Sequence, residues 1–160
     1  MQHLDNIQRY VQCESLLEKM DCGFLDLSNR VGRAIMEDMQ QRALIAVVDD
    51  DVSSRESLPD LLQTLGFAAV PFATAEDFLT SDVLAYTQCL VLDVSMPGMS
   101  GPELQCELTR RRLGIPIIFL TGDCDRDLRA KFLARGAVEC LFKPVDEHAL
   151  RAALDRVVRA

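Results

Sequence analysis

The stretch "ALIAVVDDD", residues 43–51, decides how the rest of the chain is read. Six apolar residues run without a polar break and end in three consecutive aspartates. The run is short, partly β-branched and not amphipathic. That is the pattern of a strand buried on both faces, as in a parallel sheet. Three carboxylates side by side at the tip of such a strand repel one another, and they would take up protons unless a cation intervenes.

Beyond this stretch, short apolar runs alternate with helical patterns. "SSRESLPDLLQTLG" reads as a helix stopped by Gly66, with Pro59 inside it, where a missing donor should bend it. "FAAVPFA" reads as a weaker strand. "TAEDFLTSDVL" reads as a helix opened by Thr74 and Asp77 at capping-box spacing. "CLVLDV" is a second fully apolar strand ending in an acid. "MPGMSGPELQCELTRRRLG" reads as a turn and a helix, with Ser100 and Glu103 as a second capping box. "IPIIFLT" is a strand, "CDRDLRAKFLARG" a helix ending at Gly136, "AVECLF" a strand, and "DEHALRAALDRVVRA" the last helix. Strand and helix alternate five times. This predicts a doubly wound α/β fold with a five-stranded parallel sheet covered by helices on both faces.

In open sheets of this kind, ligands bind beyond the carboxyl ends of the strands. Asp49 and Asp50 follow the first strand, Asp93 ends the third, Thr121 the fourth and Lys143 the fifth. Any one of these is readily explained as a solvated loop residue. Five of complementary chemistry on one sheet edge are better explained as a site. A hard divalent ion suits carboxylates plus waters and leaves room for a phosphoryl oxygen. Lysine adds a compact positive charge, threonine a hydroxyl donor, and an aspartate can act as a nucleophile that forms an acyl phosphate.

Composition narrows the function classes. The 160 residues, 49% of them hydrophobic, suffice for one domain with an appendage, and the formal net charge of −8 disfavours direct nucleic-acid binding. No apolar run approaches the roughly 20 residues of a membrane span, and the N-terminus has no signal-peptide core. Membrane insertion is not expected. Cys13, Cys22, Cys89, Cys106, Cys124 and Cys140 lack zinc-ligand or CxxC spacing. They read as free thiols in a reducing cytoplasm.

"VVDDD", "LVLDVSMPGMSG", "IIFLTG" and "FKP", with the spacing between Asp50, Asp93, Thr121 and Lys143, resemble the receiver domain of bacterial two-component response regulators. "GFAAVPFATAEDFL" and "GAVECLFKPVD" are similar to its FixJ-like branch. The resemblance covers residues 43–160 and implies a flavodoxin/CheY-like (βα)5 fold. It implies Asp93 as phosphoacceptor and Mg²⁺ (or Mn²⁺) held by Asp50, Asp49, Asp93 and the backbone carbonyl of Ser95. Thr121 and Lys143 would contact the phosphoryl group, and Lys143–Pro144 would be a cis peptide. The phosphodonor would be a histidine kinase or a histidine phosphotransfer protein, and the output a contact with a downstream protein target. Asp51 falls outside the acid pair of the family and reads as a loop or helix-entry acid.

The chain departs from the family at Cys140, where an aromatic residue commonly takes part in the switch with the threonine. Cysteine there predicts weaker coupling between Asp93 and the face of the fourth helix, fifth strand and fifth helix, unless Phe119 or Phe142 takes over. The family branch usually carries a LuxR-type DNA-binding domain, and the chain ends at Ala160. A receiver without an output domain is therefore expected. Residues 1–42 place Tyr10, Cys13, Leu17, Met20, Phe24, Leu27, Val31 and Ala34 at alternating spacings of three and four. This heptad-like stripe predicts a helical N-terminal extension for dimerisation, partner docking or local burial. A homodimer would form through it or through the fourth helix, fifth strand and fifth helix. Two other classes stay open: a phosphorylation-independent adaptor, and a metal-dependent phosphohydrolase with an aspartyl-phosphate intermediate. The second usually has an acid two residues after the nucleophile, where this chain has Ser95.

Overall fold

A computed structural model describes residues 42–122 and 126–158. The extension, with its heptad-like stripe, and Cys124 lie outside the described residues. The strands are β1 (Leu44–Val48), β2 (Ala68–Phe72), β3 (Cys89–Asp93), β4 (Ile117–Thr121) and β5 (Glu139–Phe142). The helices between and after them are α1 (Val52–Thr64), α2 (Ala75–Thr80), a 3-10 turn (Asp82–Tyr86), α3 (Gly101–Arg110), α4 (Arg126–Ala134) and α5 (Glu147–Val158). All strand pairs are parallel, in the order β2-β1-β3-β4-β5. The chain leaves β1 to one side for β2 and returns to the other for β3, which puts the topological switch point between β1 and β3. Among the described residues, no helix is long and apolar enough to cross a membrane.

Alternation along each strand sorts the core into two layers. Ile45, Val47, Val91, Ile118 and Leu120 face α1 and α5 and pack with Leu58, Leu62, Leu150 and Leu154. Ala46, Val48, Leu90, Leu92 and Phe119 face the other way, toward Phe78, Leu104, Leu108 and Phe132. The fully apolar central strands need both layers, which is why no polar alternation marks them. Pro71 is tolerated in β2 because that strand lies at the sheet edge.

Three local outcomes differ from the sequence pattern. First, "TAEDFLTSDVL" is two elements. Ser81 is extended (ψ 150°), and its Oγ donates to the Phe78 carbonyl at 2.9 Å, so it ends α2 before the 3-10 turn begins. Second, α1 continues through Pro59 to Thr64, so the missing donor does not end it. Third, α3 stops well short of Gly114. Its end is a Schellman motif with Arg112 at the left-handed position (φ 60°). The Arg112 amide donates to Thr109, and the Leu113 amide to Leu108, both at 2.9 Å. The ends of α1 and α4 use the same device with Gly66 (φ 92°) and Gly136 (φ 91°).

A left-handed residue with a Cβ costs about 1–2 kcal/mol. Glycine gives back about 0.5–1 kcal/mol of that through the entropy of the unfolded chain. Arg112→Gly is therefore expected to stabilise the domain by about 0.5–1 kcal/mol. It should raise the urea midpoint with an unchanged m-value. A midpoint that stays put or falls would show that the arginine side chain contributes more than its backbone costs.

Candidate functional site

Because the strands are parallel and in register, their carboxyl ends align. Val48 lies opposite Leu92, Asp93 opposite Leu120, and Thr121 opposite Phe142. The sheet ladder continues one residue past β1, β3 and β5 and clamps the backbone of the site. The Asp49 amide donates to the Phe72 carbonyl at 3.1 Å, Val94 to Leu120 at 2.9 Å, and Lys143 to Thr121 at 2.8 Å.

On this frame the acids converge. Carboxylate oxygens of Asp49, Asp50 and Asp93 all lie within 4.8 Å of one another. Asp49 is fully buried, Asp93 nearly so, and Asp50 is exposed. The Lys143 ammonium lies 2.7 Å from Asp49 Oδ2 and 2.9 Å from Asp93 Oδ1. Thr121 is buried at the end of β4, on the same sheet edge. Ser95 is exposed in the loop after Asp93 and brings no further acid. The Lys143–Pro144 bond is cis. Asp51 is the N-cap of α1 and accepts from the Ser53 amide at 2.9 Å, which separates it in role from the other two acids of the opening triplet.

The charges are strongly coupled. Burial pushes the Asp93 carboxyl up. Lys143 pulls it back by hydrogen bond and charge, Asp49 and Asp50 add repulsion, and the net position is above the ordinary carboxylate range. Burial alone would push the Lys143 ammonium down, but Asp49 and Asp93 outweigh it and hold the pKa up. Asp49 Oδ1 accepts from the Asp51 amide at 2.9 Å. Its Oδ2 is buried, and the Lys143 ammonium at 2.7 Å is the partner the structure gives it. A buried carboxylate oxygen left in this state has an unused lone pair. All-oxygen, anionic donors with such a spare acceptor fit a hard divalent cation.

Two residues that the sequence reading did not single out build the site from behind. Gly101, the first residue of α3, is packed against the Asp93–Val94 backbone. A Cβ there would overlap the Asp93 carbonyl oxygen and lie 3.1 Å from Val94 Cα. The signal for it was glycine directly after a helix N-cap, where helix propensity gives no reason for it. The other is Arg55, whose Nη1 donates to the Asp49 and Asp50 carbonyls at 2.9 and 2.7 Å. An arginine in the first turns of a helix carries no such signal.

Cys140 lies opposite Phe119 in the β4–β5 register and is 2% exposed. It packs in the layer that contains Phe119 and Phe132, whose rings stack at 4.4 Å. Burial pushes its thiol up, as it pushes Cys89 up to about 12. Neither is an activated thiolate. Cys89, Cys106 and Cys140 are all unpaired thiols. Next to Cys140, Glu139 joins the two flanking helices. It receives Arg129 of α4 at 2.7 Å and Arg156 of α5 at 2.8 Å. Burial raises the Glu139 carboxyl, but Arg156, the Cys140 amide and Arg129 outweigh it and hold the pKa below the usual range.

Residues 45–155 match the family described as response regulator receiver domain. The chain is 43% identical over 119 residues to Nodulation protein W of Bradyrhizobium diazoefficiens, covering 74% of this chain and 51% of that protein. It is 39% identical over 116 residues to the transcriptional regulatory protein FixJ of Azorhizobium caulinodans, covering 72% and 55%. The chain thus spans about half the length of the curated relatives it matches. Among solved structures, the response regulator StyR superposes with a TM-score of 0.67 at 42% identity, over 74% of this chain and 60% of that one. The chemotaxis protein CheY4 of Vibrio cholerae superposes with a TM-score of 0.64 at 28% identity, over 73% and 99%.

Proposed function

The chain belongs to the response regulator receiver family of two-component systems, and from that premise we propose that it takes a phosphoryl group on Asp93. The observation that carries the reading is the Lys143 ammonium shared by Asp49 and Asp93 at the strand ends, beside a buried acid oxygen with a lone pair to spare. Asp50, Asp49, Asp93 and the Ser95 carbonyl would hold Mg²⁺ or Mn²⁺. When bound, the ion neutralises the acids and stabilises charge on the phosphoryl oxygens.

A carboxylate oxygen of Asp93 attacks phosphorus and a P–O bond forms. The bond from phosphorus to the donor breaks, and the donor leaves with its electron pair. In a histidine kinase or histidine phosphotransfer protein that bond is P–N, to the imidazole. Lys143 then turns from the Asp93 carboxylate to a phosphoryl oxygen, and the Thr121 hydroxyl donates to another. Access is from the side of Asp50, the exposed member of the three acids.

The output is a changed protein contact at the face of α4, β5 and α5, where a downstream target or a second copy of the chain docks. Cys140 has less volume to move there than an aromatic residue. The face is also tied together by Arg129, Glu139 and Arg156. Both features favour a modest population shift on phosphorylation. To residues 1–42 we assign no part in the phosphoryl chemistry; self-association, partner docking and local burial are the readings open to them.

The test is labelling by acetyl phosphate. One hydroxylamine-sensitive phosphoryl group per chain is expected with Mg²⁺, none without it, and none in Asp93→Ala. Full labelling of Asp93→Ala would remove the assignment. Absence of labelling in the wild-type protein would favour an adaptor, and repeated turnover of small phosphoesters a hydrolase.

A further inference from the structure

Three acids make up the cluster, and two are fixed through their side chains. Asp49 Oδ1 accepts from the Asp51 amide at 2.9 Å, and Asp93 Oδ1 pairs with Lys143 at 2.9 Å. Asp50 is different. It is exposed, and among the described residues no hydrogen bond holds its carboxylate. What orients an unsupported side chain is the backbone on which it stands, meaning the two peptide planes on either side of its Cα. One plane carries the Asp49 carbonyl and the other the Asp50 carbonyl. Both carbonyls accept from the same atom, Nη1 of Arg55, at 2.9 and 2.7 Å. Arg55 is itself fixed in α1, where its amide donates to the Asp51 carbonyl at 3.1 Å, and Asp51 caps that helix. One guanidinium therefore ties both peptide planes of Asp50 to the first turns of α1.

We propose that Arg55 is a positioning residue that aims the Asp50 carboxylate at the cation, an inference that rests on the reading of Asp50 as a metal ligand. Two opposed effects make the sign decisive. As a positive charge on the carbonyls that flank Asp50, Arg55 opposes a cation, so its removal as a charge alone would tighten metal binding. As a support, it is an outer-shell partner of a ligand, and loss of such partners typically weakens metal affinity about 10–100-fold. The bond lengths and the shared nitrogen favour the support. Lysine keeps the charge but not the planar, delocalised donor group.

The experiment is calorimetric titration with Mg²⁺ of the full chain, the wild type beside Arg55→Ala, Arg55→Lys and Asp50→Ala, each checked for native circular dichroism. Arg55→Ala is expected to weaken Mg²⁺ about tenfold, with Arg55→Lys in the same direction should the alanine variant not fold. Labelling by acetyl phosphate supplies a second readout. The Arg55→Ala rate should be low at limiting Mg²⁺ and return close to wild type at saturating Mg²⁺, which a general loss of structure would not produce. Unchanged or tighter Mg²⁺ binding in folded Arg55 variants overturns the proposal. If Asp50→Ala also binds Mg²⁺ like the wild type, the ligand assignment itself falls. If Asp50→Ala loses the ion while Arg55→Ala keeps it, only the role of Arg55 falls.

Discussion

A Lys143→Met variant is expected to lose about 2–3 kcal/mol of stability at pH 7 and much less near pH 4. The lysine is shared by two acids, one fully buried and one nearly so. Removing one partner of a fully buried pair costs about 3–5 kcal/mol, because the other charge is left uncompensated. A quarter of the Lys143 side chain is exposed, so solvent screening reduces that figure.

The pH dependence follows from the direction of the Asp93 shift. Its folded pKa already lies above the ordinary value, with Lys143 pulling it down. Without the lysine it rises further. A carboxyl raised in the folded state favours folding while protonated. It subtracts stability as pH climbs from the unfolded value of about 4 through the folded one. The difference from wild type is therefore small in acid and opens toward neutrality. Mg²⁺ should offset the loss, since at a hundredfold excess over its dissociation constant it stabilises by about 2.7 kcal/mol and replaces the missing positive charge. Urea unfolding from pH 4 to 8, with and without Mg²⁺, measures both effects. A loss that is the same at every pH would show that Lys143 contributes packing and not charge.

Gly101→Ala is expected to cost about 2–3 kcal/mol and to slow labelling of Asp93 by at least tenfold at saturating Mg²⁺. The new Cβ would overlap the Asp93 carbonyl oxygen, which is backbone and cannot swing away as a flexible side chain can. Either α3 lifts from the sheet or the Asp93–Val94 peptide moves, and the second also breaks the 3.2 Å bond from the Gly101 amide to the Val94 carbonyl. Displacing a nucleophile by about 1 Å can cost about a hundredfold in rate. Gly114→Ala is the control, since a Cβ there meets nothing within 4 Å. It should leave labelling unchanged. Equal labelling rates in the Gly101 variant and the wild type would show that α3 absorbs the clash without disturbing the nucleophile.

Much of this molecule is written locally. Fully apolar runs identify central strands, because only a strand buried on both faces lacks polar alternation. The placement of Asp49, Asp50, Asp93, Thr121 and Lys143 at strand ends on one sheet edge was legible from the alternation of strands and helices, and Asp51 as a helix-entry acid. Gly66 and Gly136 marked helix ends because left-handed residues favour glycine. Arg112 carried no such mark, since a Schellman motif can hold a non-glycine residue at a cost. Ser81 was hidden inside a good helical pattern because its effect, a hydroxyl returning to the Phe78 carbonyl, competes with helix continuation on nearly equal terms.

Sequence by itself determined the five βα repeats, the sheet edge that carries the chemistry, and the residue types gathered there. Periodicity and residue type are local properties, and parallel connection leaves one edge for all the strand tips. Tertiary structure alone decided the strand order β2-β1-β3-β4-β5, which makes β1 and β3 neighbours and brings Asp49 and Asp93 to one ammonium. It also decided that Gly101 must lack a side chain, and that one arginine holds both carbonyls flanking the Asp50 Cα. Those facts depend on distances between segments far apart in the chain or on the closure of a loop, and no local pattern encodes them.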